Sequence, residues 1–246
     1  MPTLLLNCDL GESYGARRVG MDAEIMPHIH QANIACGLHG GDPLTIAETL
    51  ALARRHGVAV GAHPSYPDLE GFGRRSMDLP AAQLVALMHY QMAALEGMAL
   101  TQGLQLAHVK PHGALYNDML AKPGVRAAVL QAMARYHRPL TLILQATPQA
   151  DAHREEARAA GVALQLEAFA DRRYLADGAL MPRSEAGAVL DARQMLEQAE
   201  RLCNEGCVIA ADGSRLRIAA QTLCVHGDNP ASVQAVKALR ALVAGG

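Results

Sequence analysis

The sequence predicts an α/β protein built as a single seven-stranded (β/α) barrel over residues 1–246, and three observations predict it. Short apolar runs alternate with longer segments of helical period, the pattern of parallel strands joined by right-handed crossovers. Four of those runs end in a histidine flanked by Gly or Pro: His39, His63, His112 and His226. In such folds the carboxyl ends of the strands converge on one face, where ligands bind. No Ser/Gly linker, low-complexity tract or charge run divides the chain. An open doubly wound sheet is the alternative, because periodicity alone does not close a barrel.

The strand-like runs cover residues 3–8, 32–36, 58–62, 106–110, 140–144, 162–167 and 221–226. The first predicted helix starts at Asp42-Pro43, a cap followed by a residue suited to the first helical position, and closes at Gly57. Leu44, Ala47, Ala51 and Val58 recur between them at helical spacing. Further helices are expected over 80–102, 124–137, 148–160, 192–204 and 230–243. Asp212-Gly213 between two short apolar runs, 207–211 and 216–220, signals a C-terminal β-hairpin inserted into the last unit.

Composition narrows the function. Half of the residues are apolar but only 3% are aromatic, so aliphatic side chains and Met must fill the core. A net charge of −2 with interspersed signs carries no nucleic-acid or membrane footprint. No apolar run reaches the roughly 18 residues of a membrane span. Five cysteines without disulfide-scaffold spacing fit reduced thiols and a cytoplasmic location. Cys203 and Cys207 lack a second ligand pair for zinc.

The strand ends carry the chemistry. Asp9, in Asn7-x-Asp9-x-Gly11-Glu12, suits a base, a metal ligand or an orienter of histidine, or else a capping acid. His39-Gly40-Gly41-Asp42 joins a histidine to a helix N-terminus whose free N–H groups suit an anion, with Asp42 as the N-cap. The loop after His63 is long enough to cover a site, and its Arg74 or Arg75 suits an anionic substrate, although a structural loop explains it equally. Lys110 beside His112 is the most specific local signal, because a lysine ending a buried strand must be paired or neutral. His108 points to the same face, deeper. Glu167, Asp171, Arg172 and Arg173 follow the sixth strand and also fit a plain salt-bridged loop. His28, His30, His56, His89, His137 and His153 fall on helices or connections and read as solvated or core-satisfied. No G-x-x-x-x-G-K-[ST] loop occurs. These residues alone lead to a small-molecule hydrolase with a His/Asp/Lys site.

The motifs LNCDLGE, NIACGLHGGDP, GAHPSYPDLEGFGRR, HVKPHGALYND, EAFADRRY with DGALMPR, and CVHGD follow in order from Leu6 to Asp228. Together they resemble the lactam-utilisation (LamB/YcsF) family, with Leu38 and Gly40 standing where Phe and Ala are expected. The resemblance implies a seven-stranded barrel related to metal-dependent deacetylases. It also implies ATP-dependent 5-oxoprolinase activity, opening 5-oxoproline to L-glutamate with two partner subunits, B and C. On that basis Asp9, His39, His63, Lys110, His112 and His226 are the expected catalytic residues. Asn7, Glu12, Arg74, Glu167, Asp171, Arg172 and Asp228 are the expected substrate contacts. ATP is expected to act through the complex, and a divalent metal is open. Two rivals stand beside this reading: a stand-alone metal-dependent amidase or deacetylase using Asp9 and two histidines, and a non-catalytic barrel that binds a metabolite and regulates a partner.

Overall fold

The computed structural model describes residues 4–226 and 230–244. Seven parallel strands close a barrel: β1 (Leu5–Leu10), β2 (Gln31–Ala35), β3 (Ala59–His63), β4 (Leu106–Val109), β5 (Thr141–Gln145), β6 (Leu164–Phe169) and, completing the ring between β6 and β1, β9 (Thr222–Val225). β7 (Cys207–Ile209) and β8 (Arg215–Arg217) form the antiparallel hairpin outside the ring. The helices are α1 (Asp22–Ile25), α2 (Pro43–His56), α3 (Ala81–Thr101), α4 (Gly113–Ala121), α5 (Pro123–Arg135), α6 (Ala150–Ala159), α7 (Ala192–Glu205) and α8 (Pro230–Ala244). Barrel, crossovers and hairpin agree with the sequence reading; most boundaries move by one to three residues.

Capping explains the sharp helix ends. The Asp42 carboxylate accepts from the Thr45 N–H at the start of α2, and Gly57 closes it in the left-handed conformation at φ 65°. α7 opens on a reciprocal box between Asp191 and Gln194.

Two elements depart from expectation in ways that shape the site. β1 runs on to Leu10, so Asp9 lies inside the strand. Helix α4 is absent from the sequence reading, because Pro111 and Gly113 suggest a loop; instead His112 is its extended N-cap residue.

Strand alternation sorts side chains into two environments. Leu6, Cys8, Ile34, Val60, Leu142, Leu144, Leu166 and Leu223 are buried in the apolar core they share with Met88, Met92 and Leu95 of α3. The alternate positions form a polar interior. At its lower level the Gln31 amide donates to Gln165 (2.9 Å), and the Thr222 hydroxyl donates to Gln31 (3.0 Å). Buried amides and hydroxyls are tolerated only when paired, and this ladder supports the charged layer above it.

Candidate active site

Register places the charges. Asp9 pairs with Asn33 across β1 and β2, and Asn7 with Cys224 across β1 and β9. The Asn33 amide donates to Asn7 Oδ1 and to Asp9 Oδ1, both at 2.8 Å, while His108 Nε2 donates to Asn33 Oδ1 at 2.8 Å. Lys110 emerges just past β4, 2% exposed, and its Nζ donates to Asp9 Oδ1 (3.0 Å) and Cys224 Sγ (3.1 Å) and lies 3.2 Å from Glu167 Oε2. Two carboxylates thus surround one ammonium. Burial opposes its charge, but Asp9, Cys224 and Glu167 outweigh burial and raise its pKa well above the ordinary value. Asp9 moves the opposite way: burial works against its charge, and His63 and Lys110 hold it well below the usual carboxylate range.

The second half of the site is a histidine cluster around Glu12. Glu12 Oε1 lies 3.1 Å from His39 Nε2, 3.2 Å from His112 Nδ1 and 3.8 Å from His63 Nε2. His63 Nε2 also lies 3.3 Å from Asp9 Oδ2, which joins the two halves. Backbone carbonyls fix two of the rings: His63 Nδ1 donates to Lys110 O (2.6 Å) and His112 Nε2 to Phe72 O (2.8 Å). Burial, reinforced by His112, pushes His39 down to about 3, so it is neutral near pH 7.

The loop after β3 folds over this cluster. Phe72 takes φ 55°, a costly conformation for a residue with a side chain, and its carbonyl reaches His112. Its ring meets His39 and His112 edge-on, at centroid separations of 5.5 and 5.1 Å. Gly73 at φ 65° has no room for a side chain: a Cβ there would come within 2.8 Å of the His112 ring and 2.9 Å of His39 Cβ. Gly40 is equally confined, since a Cβ would stand 2.5 Å from the Glu12 carbonyl oxygen. An alanine at position 40 would therefore require the Glu12 backbone to shift.

All six expected catalytic residues fall into this one connected arrangement. His226 closes it: its Nδ1 lies 2.6 Å from Asp171 Oδ2 and its Nε2 lies 3.7 Å from Asp9 Oδ2. The expected substrate contacts divide. Asn7 and Glu167 are 0% exposed and fully engaged, Asn7 with Glu167, Thr222, Asn33 and Lys110, and Glu167 with Tyr116 (2.5 Å), Lys110 and Asn7. Both contact the Lys110 ammonium, Asn7 Oδ1 at 3.3 Å and Glu167 Oε2 at 3.2 Å. Arg172 is buried and donates to the Met181 carbonyl (2.6 Å). Arg74 is exposed, with its guanidinium 5.1 Å from the Phe72 ring centroid. Arg75 is paired with Asp68. Asp228 lies outside the described residues.

Sequence reasoning missed four participants. Asn33 and Cys224 sit at strand positions that alternate with the core, a signal visible once the register is known. Tyr116 is carried in by the unanticipated α4. Arg183, whose NH2 lies 3.1 Å from His226 Nε2, comes from the long segment after β6, within the quoted DGALMPR motif. Among the described residues two groups have ligand atoms close enough to share a metal ion: Glu12 with His39, His63 and His112, and Asp9 with Cys224 and His226. In the second, the Lys110 ammonium already bonds Asp9 and Cys224. Cys203 and Cys207 are free thiols and fall in neither group.

A model of the LamB/YcsF family matches residues 4–245. The chain belongs to the LamB/YcsF family. It is 52% identical to the second 5-oxoprolinase A subunit of Pseudomonas putida, over 96% of this chain and 92% of that protein. It is 50% identical to the 5-oxoprolinase A subunit of Pseudomonas fluorescens, over 98% of this chain and 96% of that one. The crystal structure of a lactam utilization protein from Thermus thermophilus superposes with a TM-score of 0.89 at 43% identity, covering 98% of this chain and 97% of the other. No helix among the described residues is long and apolar enough to cross a membrane.

Proposed function

We propose that this LamB/YcsF member is the A subunit of a cytoplasmic, ATP-dependent 5-oxoprolinase, which hydrolyses 5-oxo-L-proline to L-glutamate together with subunits B and C. One observation carries the reading: about half of its residues, along nearly the whole chain, match proteins named as the A subunits of 5-oxoprolinases. The side chains gathered at the barrel mouth suit that chemistry. A lactam carbonyl is a poor electrophile, and phosphorylating its oxygen makes the ring carbon reactive. Water adding to that carbon, with breakage of the ring C–N bond, opens the ring to an acyl phosphate. A second water then releases phosphate and leaves glutamate.

Such a sequence needs a base for water, an acid for the leaving nitrogen and a cation near the developing oxygen charge. Asp9, 3.3 Å from His63 Nε2, is assigned as the base, and the neighbouring His63 and His112 rings complete its surroundings. Lys110, held as an ammonium, stabilises oxyanion or phosphate charge. His39 and His226 position substrate and water, and the exposed Arg74 beside Phe72 takes the substrate carboxylate. Lacking a Walker loop, the chain leaves most or all of the ATP chemistry to its partners.

The test is reconstitution. Mixed with subunits B and C, 5-oxoproline and ATP, the chain should produce glutamate, and leaving out ATP should abolish the product. Glutamate formation that is equally fast without ATP would favour the second reading, a stand-alone metal-dependent amidase, which the Glu12–histidine cluster would serve.

A further inference from the structure

We propose that Glu12, His63 and His112 form a site for one divalent transition-metal ion of zinc type, with the fourth position left to a non-protein ligand. The inference is independent of the 5-oxoproline assignment.

The first reason is an unbalanced contact. His63 Nδ1 and His112 Nε2 each face a backbone carbonyl, at 2.6 and 2.8 Å, so each must carry its ring proton there. Their other nitrogens then face each other at 2.9 Å as two bare lone pairs, with the Glu12 carboxylate 3.2 Å from one and 3.8 Å from the other. Lone pairs and a carboxylate do not converge in a buried corner without a cation among them.

The second reason is size. Tetrahedral zinc with bonds of about 2.0–2.1 Å sets its ligand atoms about 3.3–3.4 Å apart. The separations of 2.9, 3.2 and 3.8 Å straddle that value. The third is orientation. Ligating histidines donate their distal N–H to a carbonyl or carboxylate, which fixes the tautomer and aims the lone pair, and both rings here do so.

His39 is not counted as a ligand. Its ring stacks on His112 at 3.7 Å with only 3° between planes, so their in-plane lone pairs run side by side and cannot meet at one ion. It donates instead to Glu12 and orients that carboxylate. Two histidines, one glutamate and an open position make an N/O donor set for zinc-type Lewis-acid chemistry. The neighbouring Asp9–Cys224–His226 group is the poorer candidate, because the Lys110 ammonium already serves as its cation.

The experiment uses the isolated full chain, stripped with a chelator and titrated with Zn²⁺ by calorimetry, with Co²⁺ absorption as a second measurement. One equivalent should bind with submicromolar affinity. Cobalt should give a tetrahedral spectrum without thiolate charge transfer. His112→Asn and Glu12→Gln should each weaken binding at least about 100-fold, and His39→Asn by about 10-fold, the loss typical of a residue that orients a ligand. Circular dichroism confirms that each variant is folded. If the folded wild-type chain binds no Zn²⁺, the cation between the histidines is a proton and the proposal fails. A cobalt–thiolate band, or affinity unchanged in folded His112→Asn, would place the ion elsewhere and also overturn it.

Discussion

Residue by residue, the site works through charges that are each paired on more than one side. His226 shows the consequence. Burial lowers its pKa, but Asp171 outweighs burial against the opposing Arg183, and the net shift is upward. A histidine raised in the folded state contributes stability that is whole below its ordinary value of 6.5 and is lost as pH rises through the higher folded value. Asp171→Asn should therefore lower the midpoint of the His226 imidazole titration followed by NMR, and a midpoint that stays put would remove Asp171 as the cause. The legibility of these residues follows their position. The strand-ending histidines, Asp9 and Lys110 stand out because Gly and Pro mark where strands stop. Asn33 and Cys224 do not, because a small polar residue within an apolar strand looks the same from sequence whether it faces the core or the barrel axis. Asn7 and Glu167 are visible as polar residues, but their full burial and their contacts with Lys110 depend on register, which spacing alone does not fix.

Within strands and helices, alternation and period govern what can change. Gly61 of β3 faces the barrel interior, and a Cβ there would come 2.2 Å from the His108 ring. Gly61→Ala should destabilise the chain by about 1–3 kcal/mol, the usual cost of overpacking, measured by denaturant unfolding; an unchanged midpoint would show that the His108 ring moves freely. On the outside, Glu96 of α3 accepts from Tyr136 Oη (2.5 Å), His137 Nε2 (2.6 Å) and Arg138 Nε (2.6 Å) just past α5. Burial opposes its charge, yet these donors bring its pKa from 4.5 down to about 2. A carboxylate lowered in this way contributes stability that is whole above about pH 4.5 and is lost as pH falls through about 2. Glu96→Gln should lower the melting temperature at neutral pH and flatten its fall across that acid window. Strands and most helices are legible because hydrophobic period and caps coincide; α4 is not, because it opens on Gly113 just after Pro111, a pair that local rules assign to a turn.

Across the molecule, barrel closure brings chemistry from β1, β3, β4, β6 and β9 to a single mouth, joining residues as distant in sequence as Asp9 and His226. Closure is only one of two readings of the alternating pattern, since β6 pairs with β9 across an intervening helix and hairpin. Because the sequence has no Walker loop, the isolated chain should show little or no 5-oxoprolinase activity, and vigorous ATP-dependent turnover by the highly purified chain would show that it handles the nucleotide itself. If the barrel mouth carries the hydrolysis, its loss must appear in turnover. The decisive quantity is the rate of glutamate formation in the reconstituted complex with Lys110→Met or His112→Asn in place of the wild-type chain, with thermal melts run alongside. Each folded variant should lose at least roughly 100-fold in turnover, the size expected for an acid–base or oxyanion-stabilising group. Folded variants that turn over near the wild-type rate would move the hydrolysis away from this mouth.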